Sequence, residues 1–255
     1  MVINKLVFIK KYLFFALVIA FQSFSSRAEV IDIPHADGVA TRTFLLSPTQ
    51  PKALVLLYPG GGGMLRLDES GYTPSRHTFV RSKDLWIQHN IAAVLVDTPY
   101  DLGDLRRGDI RGFSDHLQRT QEVIEYFSDR YDVPIWIFGH SMGTSTVFNL
   151  LNKRAEIQSK LHGAIIAGTV RSAFIEDKVK LPLIAIHHNL DSCLGSLPEN
   201  SKNIINKRSP NLTSKLLLID GGISIGSECE SLSYHGFNQT EQLLIEGAVQ
   251  FILEN

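Results

Sequence analysis

The chain has 255 residues, 44% of them hydrophobic and 20% charged, with a formal net charge of −1. Those values exclude a disordered chain and a multi-span membrane protein, and they leave room for one large domain or two small ones with a full core. With 25 Lys and Arg against 26 Asp and Glu, the basic excess of a nucleic-acid binder is missing, so no nucleic-acid partner is expected.

The first 28 residues read as a secretory leader. Lys5, Lys10 and Lys11 precede an apolar run from Tyr12 to Phe21, and Ser26-Arg27-Ala28 offers small residues at a cleavage site before Glu29. The rival reading, a retained anchor, needs about 20 apolar residues to span a bilayer, and the run falls short. No cysteine lies near the cleavage site, so no lipid anchor is expected. Loss of this segment removes four basic residues and no acid, leaving 21 basic against 26 acidic residues and a net charge of −5. The expectation is an exported protein, periplasmic or secreted, with residues 29–255 forming one domain. In an oxidising compartment Cys193 and Cys229, the only cysteines, are expected to join; two free buried thiols are the alternative.

Along the mature chain, apolar and β-branched runs predict strands at Thr41-Leu46, Ala53-Tyr58, Ala92-Asp97, Pro134-Phe138, Gly163-Ala167, Leu183-His187 and Lys215-Ile219. Apolar residues at three- and four-residue spacing predict helices at Thr78-His89, Ser114-Asp129, Thr144-Ala155 and Thr240-Leu253. In the last of these Leu243, Leu244, Ala248, Phe251 and Ile252 are expected to face the sheet. This order predicts an α/β protein with a mainly parallel sheet and helices on both faces. The segments without clear periodicity, Gly60-His77, Thr98-Gly112 and His188-Pro210, are the expected site-building loops.

Gly139-His140-Ser141-Met142-Gly143 follows the apolar run Ile135-Trp136-Ile137-Phe138 and opens a helical pattern, the context that a G-x-S-x-G nucleophile elbow demands. A serine in a sharp strand-to-helix turn needs neighbours without a Cβ so that backbones approach closely. Its hydroxyl then stands exposed at a helix N-terminus, where the Met142 amide is positioned to meet developing negative charge. A serine that merely caps a helix is the plainer alternative.

On these residues the chain resembles the α/β-hydrolase family over positions 40 to 255. The resemblance implies an α/β-hydrolase fold and a triad in the order serine, acid, histidine, with a second oxyanion donor after an earlier strand. Pro59-Gly60-Gly61-Gly62-Gly63, after Ala53-Tyr58, is similar to the family's glycine-rich oxyanion loop, except that Pro59 stands where a histidine is usual. Gly61 is the favoured donor and Gly62 the second. The resemblance places the acid at Asp191, after Leu183-His187, with Asp220 as rival, and the base at His235, after the last strand. His140 inside the elbow looks structural. His187 and His188 beside Asp191 lack a recognisable metal-ligand set, so no metal is expected, and no cofactor signature is evident.

A Cys193–Cys229 bond would tie the acid loop to the histidine loop, in keeping with a secreted, cap-poor branch of the family. Only fifteen residues separate Gly163-Ala167 from Leu183-His187, too few for a large cap. The expected chemistry is cleavage of a carboxylic ester in a small or short acyl substrate through an acyl-enzyme on Ser141, with a peptidase or amidase, or a catalytically silent binding protein, as alternatives. Arg106, Arg107 and Arg111 read as solvated loop charges, with contact to an acidic group of the substrate as the alternative.

Overall fold

The computed structural model describes residues 26–103 and 110–255. Eight strands form one sheet: β1 Ser26–Ile33, β2 Thr41–Pro48, β3 Ala53–Tyr58, β4 Ile91–Asp97, β5 Ile135–His140, β6 Gly163–Ala167, β7 Leu183–His188 and β8 Ser214–Ile219. Their order is β1-β2-β4-β3-β5-β6-β7-β8. The β1–β2 and β2–β4 pairs are antiparallel and the remaining five are parallel. The helices are α1 Thr78–Ser82, α2 Ser114–Ser128, α3 Met142–Lys153, α4 Pro198–Lys207 and α5 Glu241–Glu254.

The period-two alternation of the central strands sends apolar side chains to both faces. Leu54, Leu56, Ile135 and Ile137 pack with Val123, Ile124 and Phe127 of α2 and with Val147, Phe148, Leu150 and Leu151 of α3. On the opposite face Val55, Leu57, Trp136 and Phe138 meet Phe79, Trp86 and the α5 residues Leu244, Ala248 and Phe251. Strands buried on both faces, such as β3, β5, β6 and β7, read as continuous apolar runs, and all seven predicted strands are present within two residues. Residues 168–182 hold neither helix nor strand, so no large cap rises above the sheet.

Some expectations need correction. Strand β1 has no predicted counterpart, because its exposed edge carries no apolar run; its first residues, Ser26–Ala28, pair with Pro48–Leu46. The helix expected over 78–89 is α-helical only to Ser82. It continues as 3₁₀ turns at Lys83–Leu85 and Ile87–His89, ending at Asn90 with φ 58°. Helix α4 emerges from a stretch without periodicity because it buries only Ser201 and Ile204. In α5, Leu243 is 47% exposed and does not face the sheet. Ile245 and Val249 do so instead, at the four-residue spacing that continues the Leu244–Ala248 face. Residues 1–25, the bulk of the expected leader, lie outside the described residues.

Candidate active site

All the candidate residues come from the C-terminal ends of parallel strands, where loops from neighbouring strands converge. The loop after β3 brings Gly60–Gly63, the β5–α3 turn brings Ser141, the loop after β7 brings Asp191, and the segment after β8 brings His235. Ser141 has φ 52° and ψ −124°, a strained conformation for a non-glycine residue. A Cβ on Gly143 would lie 2.0 Å from the Tyr58 carbonyl oxygen, and one on Gly139 2.3 Å from the Gly143 oxygen. Only glycine at both positions lets the elbow sit against the end of β3.

The three side chains form one chain of hydrogen bonds. Ser141 Oγ lies 2.8 Å from His235 Nε2, and His235 Nδ1 lies 2.8 Å from Asp191 Oδ2. Asp191 is 4% exposed and also accepts from the Cys193 amide (3.0 Å) and from His187 Nε2 (3.0 Å). Burial works to raise its pKa, but the hydrogen bonds from His187 and His235 and the Cys193 amide outweigh it and hold the carboxyl down to about 2. An ionised Asp191 accepts a hydrogen bond from His235 Nδ1–H, which leaves Nε2 to accept from the serine hydroxyl. Asp220 is exposed and accepts both its bonds from Asn189 Nδ2, so the rival acid is not part of this chain.

Two further histidines brace this hydrogen-bonded chain. His187 is wholly buried; its Nε2 donates to Asp191 and to the Ser196 carbonyl, and its Nδ1 accepts from Ser201 Oγ at 2.7 Å. His140 donates from Nε2 to the backbone carbonyl of His235 (2.9 Å), and burial holds its pKa down to about 3, so it serves as a neutral support. His77, the residue before α1, lies 3.1 Å from His140 Nδ1 and 2.9 Å from the Gly60 amide; burial keeps it neutral too. It braces the start of the glycine loop from a position 17 residues away, where Pro59 has no side chain to do so. His188 instead bonds the Gly221 carbonyl.

The amides of the glycine loop sort themselves by partner. Gly60 N–H points at His77, and Gly63 N–H donates to the Gly60 carbonyl. Gly61 and Gly62 N–H have no acceptor among the described residues, and Met142 opens α3, where the first N–H groups have no intrahelical partner. Those three amides are the candidate oxyanion donors. Gly61 and Gly62 border a cavity of about 250 Å³ whose walls include Met64, Leu65, Glu230 and Ser231 together with Ser141 and His235. A larger cleft of about 590 Å³ lies at β1 and the end of α2 and contains no nucleophile–base pair.

Arg111 does not face this cavity as a ligand for an acidic group. It is 1% exposed, and its guanidinium is directed inward, to the Gly61 carbonyl and Thr146 Oγ1. Arg106 and Arg107 lie outside the described residues. Cys193 and Cys229 form a disulfide that joins the acid loop to the segment before His235. With a sequence separation of 36 it is worth about 4 kcal/mol in the chain-entropy picture. Titration with dithiothreitol is expected to lower activity before far-UV circular dichroism changes, since a shift of about 1 Å in Asp191 or His235 can cost ~100-fold. Coincident loss of activity and secondary structure would make the bond a general staple.

The fold defines a class: the chain has the α/β-hydrolase fold, without a large cap, and it joins Ser141, His235 and Asp191 in one hydrogen-bonded chain at the β5–α3 turn. No protein-family model matches the chain, and no curated protein does. Among solved structures, it is similar to a dienelactone hydrolase from Anabaena variabilis, with a TM-score of 0.66 at 15% identity, covering 90% of this chain and 98% of that one. An alpha-beta serine hydrolase homologue from Coxiella burnetii is similar with a TM-score of 0.59 at 13% identity, over 87% and 96% of the two chains. For an α/β serine hydrolase without lid from Xanthomonas campestris the TM-score is 0.55 at 13% identity, over 90% and 94%.

Proposed function

We propose that the protein is an exported serine hydrolase that cleaves a carboxylic ester through an acyl-enzyme. The observation that carries this reading is the continuous chain Ser141 Oγ–His235 Nε2 and His235 Nδ1–Asp191 Oδ2, each link 2.8 Å, on a strained elbow. In the first half-reaction Ser141 Oγ attacks the acyl carbon as His235 Nε2 takes its proton. Asp191 stabilises the imidazolium, and the amides of Gly61 or Gly62 and Met142 receive the oxyanion. The tetrahedral adduct collapses, the C–O bond to the leaving alkoxide breaks, and His235 returns its proton to the alcohol. Water then attacks the acyl-serine with His235 again as base, releasing the acid and restoring the serine.

An ester is favoured over an amide because an alkoxide leaves with less protonation than an amine, and a lactone, the substrate class in the name of the Anabaena protein, is itself a cyclic ester. Export is supported by the leader-like residues 1–28 and by the disulfide, which persists in an oxidising compartment. Among the described residues no helix is long and apolar enough to cross a membrane. The proposed substrate is a small or short acyl ester, matching an open cavity of about 250 Å³.

The test is hydrolysis of a graded series of acyl esters and aminoacyl amides, with fluorophosphonate labelling alongside. Ester turnover with labelling of Ser141 is the expected result. Amide turnover exceeding ester turnover would make the protein a peptidase or amidase. Absence of both turnover and labelling would make it a binding protein on a hydrolase fold.

A further inference from the structure

The glycine loop Gly60–Gly63 has no side chains of its own to fix it, yet three of its four carbonyls are held, two of them by groups from outside the loop. Gly60 O accepts from Gly63 N–H at 3.1 Å, Gly62 O accepts from Leu102 N–H at 2.8 Å, and Gly61 O accepts from Arg111 Nη2 at 2.5 Å. The third of these bonds comes from a side chain 50 residues away, on the 3₁₀ turn Ile110–Gly112. The other end of the same guanidinium donates from Nη1 to Thr146 Oγ1 at 2.9 Å, on α3, five residues after Ser141. Thr146 Oγ1 in turn shares a 3.0 Å hydrogen bond with His116 Nε2, a ring that burial keeps neutral, so the threonine hydroxyl is held between the arginine and the histidine. The turn is seated on α3 a second time where Lys153 Nζ donates to the Gly112 carbonyl at 3.0 Å.

We infer that Arg111 is a positioning residue of the oxyanion hole: it fixes the Gly61–Gly62 peptide relative to the helix that carries the nucleophile. This rests on the serine-hydrolase reading above. The peptide bond is planar and trans, so its C=O and N–H point in opposite directions. Clamping the Gly61 oxygen therefore sets the direction of the Gly62 N–H, one of the two loop amides with no acceptor among the described residues. Gly61 has φ 56°, and without the clamp its freedom of rotation would let this peptide swing. A planar fork with two donors in fixed geometry suits the bridge between loop and helix, whereas a lysine carries one ammonium and reaches one end at a time. Because the bridge runs to α3 itself, it fixes the spacing between the loop amide and the Met142 amide.

The bond is to be tested with Arg111→Lys, Arg111→Gln and Thr146→Val, using a p-nitrophenyl acyl ester as substrate and phenylboronic acid as probe of the tetrahedral state. For Arg111→Lys a fall in kcat of about 10- to 100-fold is expected, because a displaced donor loses transition-state stabilisation. KM should change less than about three-fold, and the boronate inhibition constant should rise by the same factor as kcat/KM falls. Thr146→Val frees the far end of the bridge without removing the guanidinium, and should show the same parallel shift at smaller size. It serves as the deciding variant if the Arg111 variants do not fold.

A kcat and boronate affinity that stay at wild-type values would overturn the positioning role. So would a fall in activity that leaves boronate affinity intact, which marks general destabilisation. Wild-type protein with neither ester turnover nor fluorophosphonate labelling would instead overturn the hydrolase reading, so the two failures are distinguishable.

Discussion

Replacing Ser141 by alanine is expected to lower kcat for the ester substrate by about 10⁶-fold while leaving the fold intact. The hydroxyl accounts for the whole nucleophile, and its loss also removes the 2.8 Å contact that orients His235 Nε2 toward the substrate. Ser141 is half-buried at the cavity rim, so the deletion opens no hole in the core, and the strained backbone at φ 52° is imposed by the strand-to-helix turn rather than by the side chain. Thermal unfolding of Ser141→Ala should match the wild type within a few degrees. Turnover above about 1% of wild type would move the nucleophile elsewhere.

How much of this was legible beforehand follows from the range over which each feature is encoded. Strands β3, β5, β6 and β7 announce themselves because both faces are buried and each is a continuous apolar run. The elbow is legible for a similar reason: strand, turn and helix start are contiguous, and Gly139 and Gly143 are required by contacts within a few residues and with Tyr58. Strand β1 is silent because an exposed edge strand needs no apolar pattern, and α4 because a polar helix with two buried side chains leaves almost no period.

Within the site, Asp191 and Asp220 look alike in sequence, since each follows an apolar strand. What separates them is a contact with His235 across 44 residues. The supporting groups leave as little trace in the sequence. His187 sits in the strand run and reads as a polar strand end, and its bonds to Asp191 and Ser196 depend on how the loop folds back. Arg111 reads as a solvated loop charge because its partners, Gly61 and Thr146, lie 50 and 35 residues away. A burial pattern of apolar side chains is repeated many times along a chain, whereas a single long-range hydrogen bond leaves no periodic trace.

Asp191→Asn is expected to lower kcat by about 10⁴-fold, less than the loss for Ser141→Ala, with the fold retained. The carboxylate receives three donors: His235 Nδ1–H and His187 Nε2–H at Oδ2, and the Cys193 N–H at Oδ1. An asparagine offers one oxygen and one NH₂ in the same space. If the NH₂ turns toward the histidines, His235 must accept at Nδ1 and carry its proton on Nε2, where it can no longer take one from Ser141. If the oxygen turns toward the histidines, the NH₂ confronts the Cys193 amide, and the loop tied down by the disulfide must shift. In both orientations the negative charge that stabilises the imidazolium is gone. Asp220→Asn meets none of these groups, being exposed and bonded to Asn189, and should retain wild-type kcat. Steady-state kinetics of the two variants on one ester decide the matter, and a harmless Asp191→Asn beside a crippled Asp220→Asn would transfer the acid's role to Asp220.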